Sequence, residues 1–202
     1  MGMMPTSEQK QHVDLFRKVM IRRRILREAL PGPVYVPFCG DGDIAKELYA
    51  DRQVYAADLD AGRTCNLQST IPAAVVRTAD CDVWPFADLD PPAFAVCDFD
   101  AYSHPYGSFR AFWESAPKRE KLALFFTDGH RQGIIRTKWL ITPDGTHRKL
   151  DDISERRKAY NFYFRSIVLP WFVQYVEPWK VIKTQSYLRG SSMLYWGAVV
   201  EL

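Results

Sequence analysis

Apolar positions along the chain fall into two alternating periods. Short β-branched and aromatic runs recur at Val34 to Val36, Gln53 to Ala57, Ala73 to Thr78, Phe94 to Cys97 and Lys121 to Thr127. Runs of that length bounded by turn residues predict strands. Between them, Asp43 to Ala50, Ala61 to Thr70 and Tyr106 to Ala116 predict helices. Strands alternating with helices predict an α/β fold around a parallel sheet. Ahead of this core, Ser7 to Leu30 predicts a helix capped by Thr6 or Ser7, with Val13, Phe16, Val19, Met20 and Leu26 at helical spacing. Pro31-Gly32-Pro33 ends it.

The second half reads differently. Residues 129–150 are basic and turn-rich around an apolar Trp139-Leu140-Ile141, which predicts a small hairpin or excursion leaving the sheet edge. A mobile surface loop and a substrate-binding insertion are both open readings of it. Asp152 to Val176 predicts a long aromatic helix, kinked at Pro170, whose rings belong to the core before they belong to a stacking platform. Lys180 to Tyr187 and Met193 to Val200, around Arg189-Gly190-Ser191, predict a closing antiparallel hairpin.

Composition narrows the class. With 202 residues, 47% of them hydrophobic, the chain suits one domain with a full core. The expected division is a basic helix over 1–32 and an α/β domain over 33–202 carrying the insertion at about 129–150. No apolar run reaches the roughly 18 residues of a membrane span. Met1 to Gln11 is polar, so a cytosolic protein is expected. Cys39, Cys65, Cys81 and Cys97 stand singly, which suggests neither a zinc site nor a disulfide scaffold, and no metal is expected. Net charge is only +3, so any argument for nucleic acid rests on where the charge lies. The first helix has a basic face (Lys10, Arg17, Lys18, Arg22, Arg23, Arg24, Arg27), readable as a solvated face or as a phosphate-contacting surface.

Candidate chemistry gathers at strand ends. Val34 to Asp43 reads V-Y-V-P-F-C-G-D-G-D, a strand, a turn with Gly40 and Gly42, and a helix start. That order brings backbone N–H groups to a ligand at the carboxyl edge of a sheet, although an ordinary left-handed turn reads the same way. No P-loop lysine follows it. Asp58, 18 positions past Gly40, ends the second strand, where an acid accepts from ribose hydroxyls or simply caps a turn. Later strands end at Asp80-Cys81 and at Asp98-Phe99-Asp100-Ala101-Tyr102. In an open parallel sheet these ends share one edge.

The whole pattern after Gly32 resembles the class I S-adenosylmethionine-dependent methyltransferases. The resemblance implies a Rossmann-like seven-stranded, mostly parallel sheet with helices on both faces and a C-terminal antiparallel strand. It implies S-adenosyl-L-methionine as cofactor, held by Pro37, Phe38, Cys39, Gly40, Gly42, Asp58, Leu59, Asp80, Cys81 and Asp98. Pro37-Phe38-Cys39-Gly40-Asp41-Gly42 resembles the D-P-F-C-G-S-G turn of enzymes that methylate exocyclic amines of nucleic acid bases. Asp98 to Pro105 resembles D-L-D-P-F-G-S-P, the fourth motif of tRNA guanine-N2 methyltransferases. Val36 stands where the family's first turn carries an acid, and Ala101 and Ser103 replace a proline and a glycine.

These matches imply that Asp98 and Asp100 orient the amine and that Tyr102 stacks on the base. Arg22, Arg23, Arg24, Arg131 and Arg136 would hold phosphates, and His104 would face the substrate as a base or a structural partner. The expected substrate is therefore RNA or DNA. A methyltransferase for a small molecule or protein, and a degenerate binding module, remain as alternatives. The sequence says nothing of oligomeric state.

Overall fold

The computed structural model describes residues 7–101, 104–189 and 193–202. Helix α1 (Ser7–Leu26) leads into β1 (Val34–Pro37), α2 (Asp43–Tyr49), β2 (Val54–Asp58), α3 (Ala61–Thr70) and β3 (Val75–Thr78). Then follow β4 (Phe94–Phe99), α4 (Tyr106–Ser115), β5 (Lys118–Asp128) and α5 (His130–Thr137). A two-stranded hairpin, β6 (Trp139–Ile141) and β7 (His147–Lys149), precedes α6 (Ile153–Tyr163), a π-helical turn (Phe164–Val168) and α7 (Leu169–Tyr175). Strands β8 (Lys180–Arg189) and β9 (Met193–Glu201) close the chain.

Seven strands form one sheet in the order β3-β2-β1-β4-β5-β9-β8. The first five are mutually parallel, and β9 lies antiparallel between β5 and β8. The order reverses between β1 and β4, and the carboxyl edge at such a reversal is the usual ligand position in such sheets. The expected sheet is the observed one.

Side-chain alternation assigns each face its helices. Val34 and Val36 of β1 join Val54, Ala56, Ala123 and Phe125 in a core with Ile25 of α1, Ile44 of α2 and Leu67 of α3. Tyr35 points the other way, into an aromatic core with Phe94, Phe99, Phe112, Phe126 and Trp196 that α4 to α7 cover. A bulge between Phe94 and Val96 shifts the alternation in β4. Beyond it, Val96 and Asp98 share the α1 side while Cys97 and Phe99 face the aromatic core. That parity matters below.

Several expected bounds move. Helix α1 stops at Leu26 rather than Leu30, and Arg52 donates to the carbonyls of Leu30 and Gly32. Because Ile25 is fully buried in the sheet's core, α1 is part of the same packing unit as the strands. Residues 129–150 contain an unexpected helix, α5, before the expected hairpin. The long aromatic helix is interrupted by the π-helical turn ahead of Pro170, which sits in the first turn of α7 where its missing N–H costs nothing. Among the described residues, no helix is long and apolar enough to cross a membrane. The same residues hold no cluster of potential metal ligands.

Candidate functional site

The turn after β1 is conformationally unusual. Phe38, Gly40 and Gly42 all have positive φ, at 56°, 52° and 85°. For glycine that is easy, but for an aromatic residue it is uncommon, and such backbone clusters where ligands are held. A Cβ on Gly40 would meet nothing within 4 Å, so this part of the turn faces open space. Gly42, by contrast, lies against Leu67 of α3, where a Cβ would come within 3.2 Å of its side chain.

Asp58, buried at the end of β2, reaches across to this turn. Its Oδ2 accepts from the Gly40 N–H at 3.2 Å and its Oδ1 from the Asp60 N–H at 3.0 Å. Each oxygen keeps a lone pair. Arg63, over half exposed, sits 4.0 Å away. Asp60 caps α3 by accepting from Gly62 and Arg63 N–H groups. Beside Asp58, Cys39 and Cys81 are buried, and burial together with the carboxylate pushes both thiols up to about 12. They are neutral and apolar here. Asp80 is exposed and accepts from the Asp82 N–H at 2.9 Å. Leu59, just after β2, and Val83, in the segment that follows β3, are exposed apolar side chains at 71% and 65%. Pro37, Phe38, Cys39, Gly40, Asp58, Leu59, Asp80 and Cys81 are thus brought to one edge.

The end of β4 departs from expectation. Asp98 is fully buried, and α1 covers it. Arg22 donates from Nε and Nη2 to its two oxygens, both at 2.6 Å, and Tyr49 donates its hydroxyl at 2.8 Å. Asp98 is therefore not exposed to orient an amine or to hold a cofactor, because its position after the bulge turns it under α1. Arg22 is corrected with it. Only 1% exposed, it meets no phosphate; although burial opposes its charge, Asp98 holds it protonated. Its guanidinium also lies over the Phe125 ring.

Asp100 sits at the mouth of this network. Lys18 donates to both its oxygens at 2.7 and 2.9 Å, Thr127 donates through its hydroxyl, and Arg22 approaches to 3.7 Å. Burial pushes its carboxyl up, but the Lys18 and Arg22 cations outweigh that and hold it below the usual carboxylate range. Its side chain keeps 19% exposure. Tyr102 lies outside the described residues.

The remaining arginines do not form one surface. Successive helix residues point about 100° apart. Accordingly Arg23 pairs with Glu47 of α2 at 2.5 Å, while Arg24 reaches toward Gln185 of β8. Arg131 is 7% exposed, stacks on the Tyr160 ring at 3.8 Å and donates to the Tyr160 carbonyl, so it ties α5 to α6 rather than meeting phosphate. Arg136 is exposed. A groove of about 550 Å³ runs between α1 and α2, lined by residues such as Arg23, Lys46 and Glu47, with none of the strand-end residues in its wall.

Sequence reasoning passed over a polar group at the end of β5. Asp128 is fully buried and accepts from the Tyr106 hydroxyl and the His130 N–H, each at 2.7 Å. Burial pushes its carboxyl up to about 6. The His104 and His130 rings meet at a tilt of 54°, centroids 4.5 Å apart. Burial and His130 push His104 down to about 4, and its Nε2 is buried with no partner. Asp128 directly follows the apolar run of β5, the same signal that marks Asp58 after β2.

No protein-family model and no curated protein matches the chain. Solved structures do. The magnesium protoporphyrin IX methyltransferase of Synechocystis, with S-adenosylhomocysteine bound, superposes over 100% of this chain and 90% of its own at a TM-score of 0.58 and 11% identity. The N-methyltransferase NodS of Bradyrhizobium japonicum, also with S-adenosylhomocysteine, gives 0.55 over 92% of this chain and 85% of its own at 9% identity. TrmN of Thermus thermophilus gives 0.50 at 18% identity over 92% of this chain, which spans 52% of TrmN's length. The fold is that of the class I methyltransferases.

Proposed function

We propose that this chain is an S-adenosylmethionine-dependent methyltransferase acting on an amino group of a nucleic acid base. The observation that carries it is Asp58 bridging to the Gly40 N–H at the reversal point of the sheet, beside open space. The residues present fit the nucleoside half of that cofactor. Asp58 would accept from ribose hydroxyls with its free lone pairs, Leu59 and Val83 would flank the adenine, and Asp80 with Cys81 would meet its edge. At the two positions expected beside the amino-acid half, Val36 is apolar and Asp98 is held by Arg22.

When bound, the cofactor supplies an electrophilic methyl group. The chain's own residues supply position. Asp100 already accepts from a nitrogen cation, Lys18, at the mouth of the site. An amine that displaced Lys18 would be oriented through its N–H groups. Exposed Arg23, Arg24 and Arg136 are the phosphate contacts that remain. Support for a nucleic acid over a small molecule lies in the resemblance of segments 37–42 and 98–105 to base-amine enzymes.

Calorimetry with S-adenosylmethionine tests the cofactor. No heat at millimolar ligand, in folded protein, sinks the enzyme reading. Mass spectrometry of nucleosides from cells with and without the chain tests the acceptor, and loss of one methylated nucleoside is the expected result.

A further inference from the structure

The β6–β7 hairpin has two unlike faces. Its register pairs Trp139 with Lys149, Leu140 with Arg148 and Ile141 with His147. Leu140 is buried against the aromatic core, which fixes the inner face. The outer face presents Trp139, 43% exposed, with Ile141, His147 and Lys149. The Trp139 and His147 rings lie in a T-shaped arrangement with centroids 6.5 Å apart. Trp139 is thus a part-exposed indole with Lys138 beside it in the chain and Lys149 across the hairpin.

The charge is concentrated there as well. Residues 129–150 carry five Arg and Lys against one Asp, while the whole chain has a net charge of only +3. Arg148 pairs with Glu155 and Lys149 with Asp151, leaving Arg136 and Lys138 as exposed cations beside Trp139. The hairpin is also pre-formed. Thr142 N–H donates to the Thr146 carbonyl, Thr146 N–H to Asp144, and Arg110 to the Pro143 carbonyl. Its turn end lies beside the histidine pair, with the Ile141 backbone next to His130 and the Thr142 backbone next to His104.

We propose that the outer face of this hairpin is a docking platform for single-stranded nucleic acid, with Trp139 stacking on an unpaired base and Arg136 and Lys138 meeting the adjoining phosphates. The proposal rests on the nucleic-acid reading above and adds where the strand lies. An aromatic face stacks on a base only when that base is free of a duplex, and every base offers a π-face, so binding there is strand-selective and sequence-tolerant.

The test is fluorescence anisotropy with a labelled 12-nucleotide single strand and the matching duplex, across a salt series, on the full chain. Wild type binds the single strand more tightly than the duplex. Trp139→Ala weakens single-strand binding roughly tenfold or more, Trp139→Phe restores most of it, and Arg136→Gln/Lys138→Gln flattens the log–log salt slope by about 1.4. Lys158→Gln, an exposed cation on α6, leaves binding unchanged. Thermal melts confirm that each variant is folded. Wild-type binding that survives unchanged in Trp139→Ala and in the double variant overturns the platform and leaves the nucleic-acid reading standing. A wild type that binds S-adenosylmethionine but neither oligonucleotide overturns both.

Discussion

Asp58 and Asp98 occupy equivalent places, each at the carboxyl end of a parallel strand beside β1, yet they have opposite fates. Asp58 is satisfied by two backbone N–H groups and retains lone pairs toward an open turn. Asp98 is met by a two-pronged guanidinium and a hydroxyl, with no accessible surface left. The first keeps acceptor capacity unspent; the second is already bound, with the chain's own α1 as the partner. A backbone donor leaves acceptor capacity free, whereas a fork-shaped cation consumes both oxygens at once. Position on a strand end therefore does not define a site. The partner does.

Breaking the Arg22–Asp98 pair is the strongest way to separate the two. Arg22→Ala leaves a buried, uncompensated carboxylate and lowers stability by about 3–5 kcal/mol in chemical denaturation. Arg22→Met/Asp98→Leu loses less than either single change, because no lone charge remains. Equal losses in the single and double variants would show that the pair is not coupled.

Asp58→Ala sharpens the other side. Removing a carboxylate that hydrogen-bonds a ligand weakens S-adenosylmethionine binding by about 1.5–3 kcal/mol in calorimetry, while the fold persists. Unchanged affinity would take Asp58 out of the cofactor site. Tyr49→Phe ranks third. It removes one of three donors to Asp98, costs about 1–2 kcal/mol of stability, and leaves cofactor affinity as it was.

This contrast also explains what could be read from the sequence. Helix α3 was legible to the residue, since Asp60 caps it and no competing signal intervenes. The sheet was legible because each strand is short, apolar and followed by a turn. The fate of Asp98 was not, because it depends on a break in strand register between Phe94 and Val96 and on a helix residue 76 positions earlier. Arg22 to Arg24 read as one basic run, although helical geometry sends the three side chains to a strand, a helix and an edge. Helix α5 hid because H-R-Q-G-I-I-R-T contains a glycine and little periodicity. Asp128 was legible in principle, as the acid directly after the β5 run, but its partners Tyr106 and His130 are fixed only by tertiary packing.

The smallest effect probes the hinge between the two regions, Lys18 on Asp100. Both side chains are about one-fifth exposed, so Lys18→Met lowers stability at pH 7 by no more than about 1 kcal/mol. Its signature is in acid. Burial alone would raise the Asp100 carboxyl, and Lys18 leads the cations that reverse it. A depressed carboxylate contributes stability that is present above the unfolded value near 3.8 and is lost as pH falls through the folded value. Without Lys18 the folded value rises, so the acid-unfolding midpoint, followed by circular dichroism, moves to higher pH. Two other groups titrate nearby. His104, held down at about 4 from 6.5, makes stability fall as pH drops through that window. Asp128, raised to about 6 from 3.8, makes stability rise over most of the same interval. Both are present in wild type and in Lys18→Met, so the difference between the two curves isolates Asp100. Coincident midpoints would mean that Arg22 and Thr127 suffice to hold Asp100 ionised, so that an amine displacing Lys18 would still meet a charged acceptor.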